Sequence, residues 1–261
     1  MSPQQLSEAT VRAVVRLLAD TAEHRGGHAA QKLHFMHGLS ALIGADSWAW
    51  GLYCSFAPDA PPTATSIVHH GFTPEQYASF IRAIEHPDTG MLNGPLTREF
   101  ARQPRHLTRM RQQMVADDVY ERTEVHALWR AADVGAVILS VRPVDERSQS
   151  VLGIYRRYGR PPFSATDSRL AHIVLSEVGW LHEAGWPEDR GVTVPQLAKR
   201  ERMTLNLLLE GWTRQQIANR LGISLHTLQD YVKSVYHRFE VQSQAELIRR
   251  FHQGDGGDRC G

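Results

Sequence analysis

Residues 213–239, TRQQIANRLGISLHTLQDYVKSVYHRF, constrain the fold more than any other stretch, because they define two short helices joined by a tight turn. The first helix is capped by Thr213, and Gln216 follows three residues later in the spacing of a capping box. Gly222 comes directly after the last apolar residue of that helix, and glycine permits the left-handed backbone of a sharp turn. Ser224 caps the second helix. The stretch therefore predicts a helical hairpin rather than one continuous helix.

The second helix of this hairpin has two different sides. Its apolar residues Leu228, Val232, Val235 and Phe239 are spaced four, three and four residues apart, which places them on one side of a helix. The opposite side carries polar residues that can bond base edges and phosphates: His226, Gln229, Asp230, Lys233 and His237. This is the helix-turn-helix design, in which the second helix lies in the major groove of DNA. A four-helix packing unit, such as a dimerisation cap, is the alternative.

The region before residue 184 has a different pattern. Helices are predicted over 4–22, 29–43, 73–86, 119–133 and 163–185, with strands over 47–57, 63–71, 135–145 and 148–159, and residues 89–114 are expected to be short helices and loops. This order predicts an α+β domain with an antiparallel sheet and flanking helices. It resembles the GAF/PAS-like sensory domains. We therefore expect a sensory or dimerisation domain over 1–184, a Pro- and Gly-rich linker over 185–196, and an all-α four-helix domain over 197–253.

The C-terminal segment resembles the LuxR-type (GerE-like) DNA-binding domain without gaps over about fifty positions. The matching residues are Leu197, Arg200, Glu201, Leu205, Leu207, Leu208, Gly211, Thr213, Ile217, Ala218, Leu221, Gly222, Ile223, Ser224, Thr227, Leu228, Val235, Arg238, Val241, Ser243, Ala245, Glu246 and Leu247. The resemblance implies a homodimer that binds double-stranded DNA and controls transcription. It also implies that Gln229, Asp230 and Lys233 face bases, whereas Thr213, Arg214, Ser224 and Thr227 contact phosphates or cap helix ends.

Four positions depart from that family's pattern. Gln229 stands where a basic residue is usual, and Tyr231 where a histidine is usual. Phe239 replaces a leucine, and Ala198 replaces a capping serine or threonine. Geometry would allow Gln229 to bond adenine, Asp230 to accept from cytosine and Lys233 to bond guanine. We therefore expect an operator that differs from those of typical family members.

The N-terminal domain is expected to control DNA binding, and several versions of it are compatible with the resemblance. The strand order disfavours a phosphorylated receiver, whereas an acyl-homoserine-lactone-type domain and a GAF-like sensor for a small-molecule effector both remain. Strand residues Trp48, Trp50, Tyr53, Ile138 and Ile154 are candidate pocket walls, or else ordinary core. A ligand-free dimerisation module is a further hypothesis. An enzyme is a less favoured one, since no nucleophile, phosphate-loop or zinc-protease motif is found.

Other chemically interesting residues have simpler interpretations. His28, His34 and His37 lie on one predicted helix, but packed or solvated histidines are favoured over a metal site. His69 and His70 adjoin on a strand and must point to opposite faces. Cys54 is interpreted as a small buried residue. The arginine-rich run over 102–113 is interpreted as a solvated helix face rather than an anion site. No cofactor is expected.

Charge and hydropathy indicate what kind of partner the protein binds and where in the cell it is located. Residues 197–251 carry nine basic and five acidic side chains, although the whole chain has a net charge of only +1. A basic segment of this kind suits a polyanion-binding module. The N-terminus has the pattern of an amphipathic helix rather than a signal peptide, and no run of about 18 apolar residues predicts a membrane span. We therefore expect a cytoplasmic protein.

Overall fold

The computed structural model describes residues 6–54, 62–145, 148–183, 199–209 and 211–253. The N-terminal part begins with α1 (Glu8–Glu23), α2 (Gly27–Ile43), β1 (Ser47–Cys54), β2 (Thr63–His70) and α3 (Pro74–Glu85). It continues with α4 (Pro87–Leu92), α5 (Gly94–Arg102), β3 (Leu107–Met110), a 3₁₀ turn, α6 (Asp117–Glu121) and α7 (Val125–Ala131). It ends with β4 (Ala136–Pro143), β5 (Ser148–Arg156), α8 (Ala165–Glu177) and α9 (Gly179–Glu183). The predicted linker over 185–196 lies outside the described residues.

The C-terminal part consists of helices joined by short turns in its described residues. It contains α10 (Lys199–Leu209), α11 (Arg214–Leu221), α12 (Leu225–Arg238) and α13 (Gln244–Gln253). The predicted α+β region followed by an all-α region is therefore confirmed. Among the described residues, no helix combines the length and the apolar character needed to cross a membrane.

The five strands form one antiparallel sheet in the order β2-β1-β5-β4-β3. Alternate residues of β1 enter opposite faces, as the two-residue period of a strand requires. Trp48 and Trp50 enter the core beneath α2 and α8, whereas Ala49 packs with Phe80 of α3 and Trp129 of α7 on the other face. The sheet is thus covered by helices on both faces.

One strand was missed by the sequence interpretation. Residues 102–113 were interpreted as a solvated helix face, which is wrong, because β3 pairs with β4 from Leu107 opposite Val141 to Met110 opposite Ile138. Leu107 and Thr108 are both buried. A strand of four residues at the sheet edge leaves too short an alternation to be detected without its partner.

Two predicted helices are each divided into two. The helix expected over 119–133 is interrupted because the Thr123 hydroxyl donates to the Tyr120 carbonyl, and the Asp88 carboxylate accepts the Glu124 backbone N–H at 3.0 Å. The helix expected over 163–185 is capped by Ser164 at its start but stops at Val178, whose backbone is not helical. There Arg142 donates to the Ser176 carbonyl at 3.2 Å, which satisfies an acceptor at the helix end.

Candidate nucleic-acid interface and a polar cavity

The inner side of α12 is a packing surface, as its apolar spacing predicted. Leu228, Val232, Val235 and Phe239 are each no more than 2% exposed. They belong to one apolar cluster with Leu205 and Leu208 of α10 and with Ile217 and Leu221 of α11. The burial of this whole stripe fixes which side of α12 faces away from the protein.

The turn between α11 and α12 is built from the capping residues predicted from the sequence. Thr213 forms a capping box with Gln216, whose side chain accepts the Thr213 backbone N–H at 2.9 Å. Gly222 adopts φ 62° and ψ 37°, and its N–H points to the carbonyls of Ala218 and Asn219. Ser224 then accepts the backbone N–H of Thr227 at 3.0 Å and so starts α12. These local contacts orient the two helices as a rigid pair.

The outer side of α12 is exposed along its length. Its exposed residues are His226, Gln229, Asp230, Lys233 and His237. Arg214, the first residue of α11, is exposed as well. Thr213 and Ser224 lie at the two helix N-termini, where backbone N–H groups and the helix dipole favour anions such as phosphates. The structure therefore places all seven predicted DNA-contacting residues on α11 and α12 or at their N-terminal caps.

A buried carboxylate fixes α12 against α10, and the sequence interpretation assigned it no role. Glu201 is 8% exposed and accepts a short hydrogen bond from the Ser234 hydroxyl. Its other oxygen lies 3.8 Å from the Arg238 guanidinium. The Gln244 side chain donates to the Leu208 and Trp212 carbonyls at 2.9 and 3.0 Å, which ties α13 to the end of α10. Acidic side chains are almost never fully buried unless they are paired. An acidic residue within a helix that packs into the core was therefore the sequence signal that could have indicated this contact.

The candidate pocket walls of the N-terminal domain are mostly ordinary core. Trp48, Trp50, Ile138 and Ile154 are at most 1% exposed and pack in the cluster beneath α2 and α8. The Trp50 indole donates to the Ser150 hydroxyl at 2.7 Å. Tyr53 keeps partial exposure, and its pKa is raised to about 12 by burial and by the neighbouring Tyr77 and Glu85.

A polar cavity of about 210 Å³ opens instead between β3 and α8. The polar residues of its lining include Arg105, His106, Thr108, Arg109, Arg169 and His172. Beneath them, a hydrogen-bonded layer connects the sheet to α8: His106 lies 2.7 Å from the Ser140 hydroxyl and 2.9 Å from the Ser176 hydroxyl. Thr108 lies 3.1 Å from both Ser140 and the His172 ring. The sequence interpretation did not find this cavity, because its lining comes from a strand that was missed.

The histidines of the first two helices pack against other rings. His34 stacks on His24 at 4.6 Å between centroids, and His37 meets His70 edge-on at 4.7 Å. His69 stacks on Tyr77 on the opposite face of the sheet, as alternation predicted. Within the described ranges, no three histidine, cysteine or carboxylate side chains are grouped so that they could hold a metal ion. The side chain of Cys54 lies outside the described part.

Comparison with known proteins identifies the C-terminal region. Residues 195–251 match the model of the bacterial regulatory proteins of the luxR family. These residues form a luxR-family helix-turn-helix domain. The match spans all four C-terminal helices apart from the last two residues of α13.

Two curated relatives each match a part of the chain. The probable transcriptional regulatory protein SgaR of Hyphomicrobium methylovorum is 40% identical over 52 residues, which are 20% of this chain and 25% of SgaR. The transcriptional regulatory protein FixJ of Azorhizobium caulinodans is 32% identical over 87 residues, which are 32% of this chain and 41% of FixJ. The chain thus spans less than half the length of either relative.

A solved structure resembles the chain more broadly. The N-acylhomoserine lactone-dependent LuxR-family transcription factor CepR2 of Burkholderia cenocepacia superposes with a TM-score of 0.47 and 13% identity. The superposition covers 72% of this chain and all of the CepR2 chain.

The departures from the LuxR-type pattern occupy different environments in the luxR-family domain. Gln229 is exposed on the outer side of α12, whereas Tyr231 is partly buried. Phe239 fills the core at 1% exposure, so its replacement of a leucine is a change of packing. Ala198 lies outside the described residues. Among the departures at described positions, Gln229 is thus the one whose side chain is exposed on the surface.

Proposed function

We propose that this protein is a transcription regulator that binds double-stranded DNA in a sequence-specific way through α12. One observation carries the proposal: α12 buries a complete apolar stripe and holds Gln229, Asp230 and Lys233 outward on the opposite side. A helix held in this way fits the major groove, whose width admits one α-helix. The proposal assigns the chain no catalytic step. It places the protein in the cytoplasm, where bacterial DNA is accessible.

The proposed contacts divide into base readout and phosphate positioning. Gln229 is suited to adenine, Asp230 to the amino group of cytosine, and Lys233 to guanine. Arg214 would contact phosphates as an exposed cation at the start of α11. Thr213 and Ser224 use their side-chain oxygens as caps, and Thr227 donates its backbone N–H to Ser224, so the contribution of these three residues is to hold the helix N-termini that face phosphates.

We further propose that the working unit is a homodimer, because paired recognition helices must meet half-sites about one helical turn apart. In α13, Leu247 is fully buried and Ile248 packs against the same core, so Leu247 serves the fold rather than a dimer contact. Sizing of the purified full chain, alone and with DNA, tests this part of the proposal.

We propose that the N-terminal α+β domain regulates DNA binding by sensing a small molecule. Two features support this role: the N-terminal and C-terminal apolar cores form one contiguous cluster, and α10 lies beside β2. A change in the sheet domain can therefore reach the luxR-family domain through packed side chains.

The DNA-binding proposal is tested by mapping genomic fragments bound by the full chain and by its Lys233→Ala variant. We expect discrete sites for the full chain and their loss with the variant. Arg16→Gln, which changes an exposed residue on α1, is the matched control and should preserve the sites. A chain that enriches no specific fragments would contradict the proposal.

A further inference from the structure

The cavity between β3 and α8 combines an exposed rim of positive charge with a buried polar floor. Arg105 and Arg169 are exposed, and Arg109 is 31% exposed. Thr108 and Ser168, which also line the cavity, are each only 6% exposed. Among the described residues, those that line the cavity include no carboxylate. Guanidinium groups above hydroxyl groups and imidazoles form a set of donors that suits an anion.

The three arginines of the rim differ in how far they are neutralised. Glu99 accepts from Arg109 at 2.7 Å and from Arg105 at 3.1 Å, so one carboxylate serves two guanidinium groups. Arg169 has no ion-pair partner among the residues that the structure describes. The rim therefore retains positive charge, with Arg169 as its most available cation.

The pKa values of the histidines that line the cavity are lowered by burial and by nearby positive charge. The pKa of His172 is lowered by burial and then by Arg109 and Arg105. The pKa of His106 is lowered to about 4 by burial, His172 and Arg142. Both rings are therefore neutral near pH 7. Both ring nitrogens of His106 bond serine hydroxyls, those of Ser140 and Ser176, so His106 supports the floor of the cavity. His172 bonds Thr108 through Nδ1, and its ring is the imidazole that a ligand anion would meet together with the arginines.

We propose that this cavity binds a small oxyanion-bearing ligand, a carboxylate or a phosphate, whose charge contacts Arg169 and Arg105 and whose remaining polar atoms reach Thr108 and His172. The volume of about 210 Å³ lies below the usual range for drug-sized ligands, so the ligand must be small. The claim that this cavity is the sensing site of the regulator rests on the proposed function. The claim that it binds an anion does not, because anion binding is measured without DNA.

The test is calorimetric titration of the full chain with inorganic phosphate and with oxalate, and with uncharged oxamide for comparison. We expect saturable binding of at least one anion and none of oxamide, and the anion that binds more tightly identifies the ligand class. Arg105→Gln/Arg169→Gln should weaken that binding about tenfold or more, because charge-assisted hydrogen bonds are lost. Arg16→Gln, outside the cavity, should bind like the unchanged chain.

Three results would overturn the proposal: no saturable anion binding by the unchanged chain, equal affinity in the double variant, or an equal loss in Arg16→Gln. Unfolding midpoints of all variants are measured, since both cavity substitutions are at exposed positions and should leave the fold intact. A second readout is the His172 imidazole NMR signal, which should move on anion addition, and an unmoved signal would contradict the site. Failure of DNA binding with intact anion binding would refute the proposed function and leave this site standing.

Discussion

Replacing Glu201 by alanine should loosen α12 without disturbing the sheet domain. The Glu201 carboxylate is 8% exposed, accepts from the Ser234 hydroxyl and lies 3.8 Å from Arg238. A hydrogen bond to a charged group contributes about 1.5–3 kcal/mol. The ion pair adds about 0–1 kcal/mol, since the Arg238 side chain is 40% exposed. We therefore expect Glu201→Ala to lower the local stability of the C-terminal helices by about 2–3 kcal/mol.

Amide hydrogen exchange of the full chain measures this effect locally. Since about 1.4 kcal/mol corresponds to a factor of ten, protection of α10 and α12 should fall by about 30- to 150-fold. Peptides from β1 and β5 provide the internal control and should keep their protection. Glu201→Gln retains an acceptor for Ser234 and should lose less than Glu201→Ala.

A double-mutant cycle with Ser234→Ala isolates the contact between the two side chains. We expect the effects of Glu201→Ala and Ser234→Ala to be non-additive by about 1 kcal/mol or more. Unchanged α12 protection in Glu201→Ala, or additive effects in the cycle, would refute the argument that this carboxylate holds α12 in place.

Three further predictions concern the turn, the DNA contacts and the pH dependence of stability. Gly222→Ala should cost about 1–2 kcal/mol, because Gly222 has φ 62°, whereas Gly222→Asn should cost less; chemical denaturation followed by C-terminal exchange distinguishes them. Arg214→Ala should weaken DNA binding across all sequences and reduce the salt dependence of log K by about one unit, measured by fluorescence anisotropy at several salt concentrations, and an unchanged slope would contradict its assignment to phosphates. Lys233→Ala should weaken binding to the preferred sequence more than binding to other sequences, and an equal loss on all sequences would contradict its assignment to a base. Burial, His172 and Arg142 lower the pKa of His106 in the folded protein to about 4, whereas the ordinary histidine pKa is near 6.5. Below about pH 6.5 the His106 side chain therefore binds a proton more readily in the unfolded chain than in the folded one. The contribution of His106 to the free energy of unfolding should be complete above about pH 6.5 and should fall as the pH drops towards 4. His106→Gln should flatten that dependence in urea titrations, and an unaltered profile would show that His106 is not responsible.

The luxR-family domain was predictable because its determinants are local in sequence. The Thr213 and Ser224 caps, the Gly222 turn and the stripe ending at Phe239 each act within one or two helical turns. The structure confirms each of them. Because helix caps and apolar periodicity specify the same arrangement, the structure of such a segment can be predicted from one sequence.

The sheet domain was predictable only in its main elements. β3 depends on pairing with β4 about thirty residues later, and its arginines suggested solvent rather than a strand. The end of α8 at Val178 depends partly on Arg142, which reaches it from β4. The cavity between β3 and α8 needs both elements in place, so no local pattern could reveal it. Likewise, alternation placed Trp50 on an inner face without showing whether that face was pocket or core.

The most direct test of the central claim is selection of bound duplexes from a random DNA pool by the full chain and by variants of α12. The account predicts that Gln229→Arg and Asp230→Asn each change the preferred base at a position within the half-site. It predicts that Arg214→Ala lowers affinity but leaves the preferred sequence as it was. Identical preferences for the unchanged chain and for both the Gln229 and Asp230 variants would contradict the assignment of α12 as the helix that reads DNA.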